Sequence, residues 1–191
     1  MTRLVLASTS AQRRAILEQL RIPFVAEAPA YDEHDPPDAD PLELVRAHAQ
    51  GKARSVRRDG AVTLGVDTTV HLDGRVYGKP VGDRGAAEML HALSGRTHHV
   101  VSGLCLVGAG FEVTETVLTD VTFRRLSDDD VVTYVASGEW EGRAGAYAIQ
   151  GLGGRLVERI EGDYLNVVGL PGAALVGLLE RHAPELLQIS M

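Results

Sequence analysis

Two lysines, Lys52 and Lys79, stand in a chain that otherwise meets its need for positive charge with seventeen arginines. A guanidinium suits planar, bidentate contacts, whereas an ammonium is a compact point charge that fits beside a phosphate or a carboxylate in a crowded site. Carboxylates that could share such a site are Asp67, in AVTLGVDTTVHL, and Asp32, Glu33 and Asp35, in the acidic stretch YDEHDPPDAD. Hydrolysis of a phosphoanhydride needs a base or a metal-held water, with cations to offset the phosphate charge, and hard carboxylates suit Mg2+ or Mn2+. Acids in a loop are also ordinary solvated residues, so a role falls to one or two of them. The remaining group is Ser8-Thr9-Ser10 followed by Arg13 and Arg14. Free backbone N–H groups at a helix start, with hydroxyls and guanidinium groups nearby, seat phosphate oxygens. The same residues read equally as a capping serine with two solvated arginines.

These groups need elements that bring them together. Leu4 to Ala7 reads as a buried strand; a small polar turn and a helix follow, with Ser10 as N-cap and Ile16, Leu17 and Leu20 on the apolar face. Asp40-Pro41-Leu42-Glu43 opens a second helix, with Asp40 capping, Pro41 in the first position and Glu43 reaching back; it runs to about Arg57 and carries Lys52. AVTLGV is a strand, and VHL and RVY flank Asp73-Gly74, a two-residue hairpin signal. In that register Leu72 faces Arg75 and Thr68 faces Lys79, so the hairpin brings Lys79 beside Asp67 and Thr68.

Further on, DRGAAEMLHALSG is a helix with Asp83 as cap and Gly95 as stop, and HVVSGLCLVGAG and FEVTETVLTDVTF are long strands turning near Gly108 to Gly110. Ser127 to Asp130 opens another helix, the glycine-rich GRAGAYAIQGLGG precedes a strand RLVERI, and a last helix begins at Pro171. Hairpin strands mixed with helices predict an α/β fold with a mixed sheet.

At 191 residues the chain has room for one domain over 1–191, or one α/β unit with a smaller appended lobe. Its 45% hydrophobic and 24% charged residues are those of a globular protein. A net charge of −7 argues against a basic face for nucleic acid. No apolar run is long enough for a membrane span, and MTRLVLASTSAQRR turns polar too soon for a signal peptide, so a cytoplasmic location is expected. Cys105, inside LCLV, reads as a buried strand residue. His98-His99 and the other histidines lack zinc-ligand spacing. A Walker motif, a dinucleotide fingerprint around Gly151 to Gly154 and a G-x-S-x-G elbow are all missing.

LASTSAQRRAILEQL, the Asp-Glu of YDEHD, LGVDTTVHLDGRVYGKP, LSGRTHHV, GRAGAYAIQG and YLNVVGLP, in that order, resemble the Maf family of nucleoside triphosphate pyrophosphatases from about Leu4 to the last helix. The resemblance implies a mixed, elongated sheet with flanking helices and two lobes around a cleft, similar to the inosine triphosphate pyrophosphatases. It implies cleavage of a nucleoside triphosphate to monophosphate and pyrophosphate, with a divalent cation (Mg2+, Mn2+ or Co2+), by a homodimer. Asp67 matches the family's proton acceptor; Ser8, Arg13, Lys52 and Lys79 match phosphate-contacting positions; Glu33, with Asp67, matches the metal-binding acids. Positions tied to base preference are Gln12, Thr68 and Gln150 here. Thr68 and Gln150 resemble the branch acting on dTTP and UTP. Gln12 departs from it, since that branch has arginine there and the 7-methyl-GTP branch tryptophan, and Ala11 replaces a usual proline. Gln150 points to pyrimidines; the alternatives are 7-methyl-GTP, or a nucleotide-binding regulator of septum formation.

Overall fold

The computed structural model describes residues 3–36 and 39–188. Pro37 and Asp38 of the acidic stretch lie outside the described residues, as do 1–2 and 189–191. Among the described residues, one sheet of seven strands runs β2-β1-β3-β5-β6-β7, with β4 also paired to β3. The strands are β1 (Arg3–Ala7), β2 (Phe24–Glu27), β3 (Ala61–Leu72), β4 (Arg75–Tyr77), β5 (Thr97–Gly108), β6 (Phe111–Phe123) and β7 (Val157–Glu161). The helices are α1 (Ala11–Gln19), α2 (Pro41–Ser55), α3 (Gly82–Leu93), α4 (Asp128–Ala136), α5 (Tyr164–Val168) and α6 (Gly172–His182). No helix among the described residues is long and apolar enough to cross a membrane.

β1 runs parallel to both β2 and β3, with Ala7 opposite Gly65. That accounts for their composition: Leu4 to Ala7 and Val62 to Val66 are continuously buried, as parallel strands covered on both faces must be. β4 and β7 are antiparallel to their neighbours, so the sheet is mixed as expected. Asp73 and Gly74 both have positive φ, 51° and 76°, the conformation a tight two-residue hairpin turn demands. The register is also the expected one, Leu72 opposite Arg75, but the ladder ends at Val70 opposite Tyr77. The rung expected between Thr68 and Lys79 is therefore not part of it, because β4 stops before Gly78 and Lys79.

The chain divides into two compact units. The first comprises the chain up to Thr68, Ser102–Val117 and the chain from Gly169 on. Within it α2 lies close against the sheet: a Cβ on Gly65 would collide with the Ala49 carbonyl and with Ala53, and one on Gly103 with the Val45 carbonyl. Two glycines on neighbouring strands thus let the helix approach to backbone distance. The second unit comprises Thr69–Val101 and Leu118–Val168. Its core gathers Val70, Leu90, Leu93, Phe123, Tyr134, Trp140 and Tyr147, and burying each of the aliphatic members stabilises the fold by about 1.5–3 kcal/mol. His98 is part of this interior, edge-on to Phe123 and Tyr147, with Nε2 2.9 Å from the Tyr147 hydroxyl. Burial, and then the neighbouring His99, lowers its pKa to about 3.

Four local expectations are corrected. β2 was not expected; Val25 is exposed and the strand pairs at the sheet edge, so it lacks the alternation that marks a half-buried strand. α5, five residues long, is too short to show helical periodicity. Asp83 makes no cap hydrogen bond; α3 begins at Gly82 with Val81 as N-cap, two residues before the expected cap, and Asp83 lies in its first turn, where a carboxylate favours the helix dipole. α2 ends at Ser55 rather than Arg57. The signals at Ser10, Asp40, Gly95 and Cys105 hold. Ser10 Oγ accepts from Arg13 N, Asp40 Oδ1 accepts from Leu42 N and Glu43 N, Gly95 has a φ of 67°, and Cys105 is buried.

Candidate active site

The parallel strands of the first unit carry the candidate residues to their carboxyl ends, where open α/β sheets place their ligands. Ser8 follows the last residue of β1, and Asp67 lies two residues beyond Gly65, the partner of Ala7. Lys52 comes from the last turn of α2, which the glycine contacts hold against β3. Its ammonium, on a side chain only 8% exposed, meets Asp67 Oδ1 at 2.5 Å and Glu33 Oε1 at 2.6 Å. One of the two lysines is therefore clamped between two of the carboxylates singled out in the sequence. A buried ammonium requires such partners, since an unpaired charge out of water is costly.

A second cluster lies beside the first. Arg13 projects from the first turn of α1 and donates through Nε to the Gly169 carbonyl at 3.0 Å, through one terminal nitrogen to Ser8 Oγ at 3.3 Å, and through the other to Thr68 Oγ1 at 3.4 Å. Burial lowers its pKa from the ordinary value, while Asp67 and Glu33 favour its charged form. The Thr68 hydroxyl also lies 2.8 Å from Ser102 Oγ and donates to the Gly169 carbonyl at 3.3 Å. A hydroxyl has one proton and two lone pairs, so Thr68 is saturated within the protein.

The remaining candidates take no part in these contacts of the first unit's cluster, and each is placed by its own element. Gln12 accepts from Ser10 Oγ at the start of α1. Arg14 is exposed and donates to the Thr9 carbonyl, apart from the contacts made by Arg13. Asp32 is exposed, and Asp35 pairs with His48 rather than with Lys52. Lys79 and Gln150 are exposed residues of the second unit, Lys79 past the end of β4 and Gln150 in a turn before β7. Sequence reasoning missed Ser102, Tyr31, His48 and the Gly169 carbonyl. Ser102 sits inside an apolar strand with no motif around it, and His48 carried no zinc-like spacing. The juxtaposition of a histidine with acids thirteen and fifteen positions earlier gave only a faint signal.

Glu33 and Asp67 fit a hard divalent cation. Among the described residues no group of three or more His, Cys, Asp or Glu could hold a metal. Two carboxylates without a protein cage match the way Mg2+ is bound, through one or two acids together with substrate phosphates and water.

Fold and site together define a class, a mixed α/β protein with an acid–lysine cluster suited to a phosphorylated ligand. Within that class the Maf-like protein family model matches residues 3–182, and the chain belongs to this family. Relatives named dTTP/UTP pyrophosphatase include that of Symbiobacterium thermophilum, 48% identical over 174 residues, covering 90% of this chain and 89% of the relative. That of Moorella thermoacetica is 48% identical over 175 residues, with 90% of each chain covered. The archaeal one of Pyrococcus furiosus is 39% identical over 182 residues, 94% of this chain and 95% of its own. Among solved structures, a HAM1 protein from Coxiella burnetii is similar with a TM-score of 0.47 and 17% identity, over 80% of this chain and 90% of that one.

Proposed function

We propose that the protein is a nucleoside triphosphate pyrophosphatase that cleaves dTTP, UTP and modified pyrimidine triphosphates to monophosphate and pyrophosphate, the whole chain acting as one Maf-like domain in a cytoplasmic homodimer. The observation that carries this is Lys52 held between Asp67 and Glu33, beside the Arg13 and Ser8 seat. The activity in the names of the relatives supports the same reading.

Asp67 is the base. It takes a proton from water, whose oxygen bonds to the α-phosphorus; the bond to the bridging oxygen breaks, and its electron pair leaves with pyrophosphate. Lys52, Arg13 and Ser8 receive phosphate oxygens, which offsets the charge of the leaving group. A divalent cation, when bound, neutralises phosphate charge, and Glu33 and Asp67 are the carboxylates that would hold it. Thr68 contributes by fixing Arg13, since its hydroxyl has no capacity left for a base. Lys79 and Gln150 enter on the family resemblance, the first for phosphate and the second, an amide with donor and acceptor, for the pyrimidine edge. Gln12 is a tolerated change at the position where that branch has arginine.

Pyrophosphate release from a panel of triphosphates tests the proposal. Turnover of dTTP and UTP at least about tenfold above ITP and 7-methyl-GTP is expected, a margin of about 1.4 kcal/mol. Preference for 7-methyl-GTP would overturn the pyrimidine assignment, and binding without turnover of any triphosphate would make the protein a nucleotide-binding regulator.

A further inference from the structure

Glu33 belongs to a segment after β2 that has neither helix nor strand over residues 28–36, yet its carboxylate meets Lys52. A single histidine flanks that contact on both sides. His48, 3% exposed, lies on α2 one turn before Lys52, so the two side chains share a face of the helix. Its Nδ1 is 3.1 Å from the Tyr31 hydroxyl and its Nε2 is 2.8 Å from Asp35 Oδ1. A carboxylate only accepts, so Nε2–H donates to Asp35, and the other ring nitrogen, Nδ1, is left to hydrogen-bond with the Tyr31 hydroxyl. The Tyr31 ring stands edge-on to the imidazole, centroids 5.7 Å apart, and covers Gly51, where any Cβ would strike the ring.

We infer that His48 is the positioning residue of the acid loop: by gripping Tyr31 and Asp35, two residues to either side of Glu33, it holds the Glu33 carboxylate at Lys52 and so sets the charge around Asp67 during cleavage. This role rests on the pyrophosphatase reading. A loop pinned on both flanks of its functional acid delivers that acid in one geometry, and displacement of about 1 Å at such a site costs on the order of a hundredfold in rate. Groups that orient a metal-site ligand from behind contribute about 10–100-fold.

The experiment compares wild type, His48→Leu, His48→Gln, Tyr31→Phe and Asp35→Asn for kcat and KM with dTTP and Mg2+, and for hydrogen exchange in residues 28–36. His48→Leu is then combined with Glu33→Gln. The expected result is a loss of roughly 10–100-fold in kcat/KM for His48→Leu, smaller losses for Tyr31→Phe and Asp35→Asn, and partial rescue by His48→Gln, whose amide can still donate to Asp35. Exchange in the loop should quicken in the same order. In the Glu33→Gln background His48→Leu should change activity by less than about twofold, because the residue through which it acts is already gone. Tyr31→Phe and Asp35→Asn carry the test should His48→Leu fail to fold. Activity of all single variants within about twofold of wild type, or a full multiplicative loss in the Glu33→Gln background, would overturn the role. A wild type that turns over no triphosphate would instead overturn the pyrophosphatase reading and this role with it, and the exchange data would still show separately whether the loop is clamped.

Discussion

Asp67→Asn separates chemistry from stability. Asn is isosteric and its carbonyl oxygen can still accept from the Lys52 ammonium, so the contact at 2.5 Å survives as a hydrogen bond from a charged donor, with the ion pair lost. Lys52 also keeps Glu33 at 2.6 Å, so no unpaired buried charge is created. The stability cost is then the difference between an ion pair and an ammonium–amide hydrogen bond, both within the range of about 1.5–3 kcal/mol for bonds to charged groups, or about 1 kcal/mol. For a chain of this size that lowers the melting midpoint by about 2–4 °C. An amide cannot take the proton of the attacking water, and loss of a general base costs about 100- to 10,000-fold, or about 3–5 kcal/mol of barrier. The assay is pyrophosphate release from dTTP at saturating Mg2+, with scanning calorimetry on the same preparation. Turnover within about threefold of wild type would refute Asp67 as the base. A melting midpoint lowered by more than about 10 °C would refute the claim that Glu33 suffices to keep Lys52 paired.

Gly65→Ala should cost about 1–3 kcal/mol in a denaturant melt and reduce turnover, because the new methyl group meets the Ala49 carbonyl and pushes away the helix that carries Lys52. Thr68→Val, which removes the hydroxyl holding Arg13, should raise KM for every triphosphate alike; a shift in preference among bases would instead make Thr68 a base reader. His98 has a folded pKa near 3 against 6.5 in the unfolded chain, so its contribution is complete above pH 6.5 and declines as pH falls towards 3, by about 2 kcal/mol at pH 5. Melts of the double variant His98→Phe, Tyr147→Phe should lack that part of the pH slope. Chelation should abolish turnover and Mg2+ restore it, with the apparent Mg2+ affinity of Glu33→Gln weakened by about 10–100-fold.

The fold was legible where side-chain patterns are strong. Unbroken apolar runs marked the parallel strands, Asp73-Gly74 set a hairpin register that held for three rungs, and Ser10 and Asp40 capped the helices they precede. β2 escaped because an edge strand of four residues with exposed Val25 has no contrast between faces. In the site, the scarcity of lysine drew the eye to Lys52, and the acids nearby in sequence included both of its partners. The supporting layer was less visible. Ser102 reaches Thr68 across 34 positions, and His48 reaches Tyr31 across 17, with no local spacing rule linking either pair. Gly65 and Gly103 read as ordinary strand glycines until the backbone of α2 is placed on them.

The most direct test of the central claim is the position of water attack. Turnover of dTTP in water enriched in heavy oxygen, followed by mass spectrometry of both products, locates the bond that Asp67 helps to make. The account predicts one heavy oxygen in the monophosphate and none in the pyrophosphate. Label in the pyrophosphate, or release of inorganic phosphate in place of pyrophosphate, would contradict attack at the α-phosphorus and with it the role given to Asp67, Lys52 and Glu33.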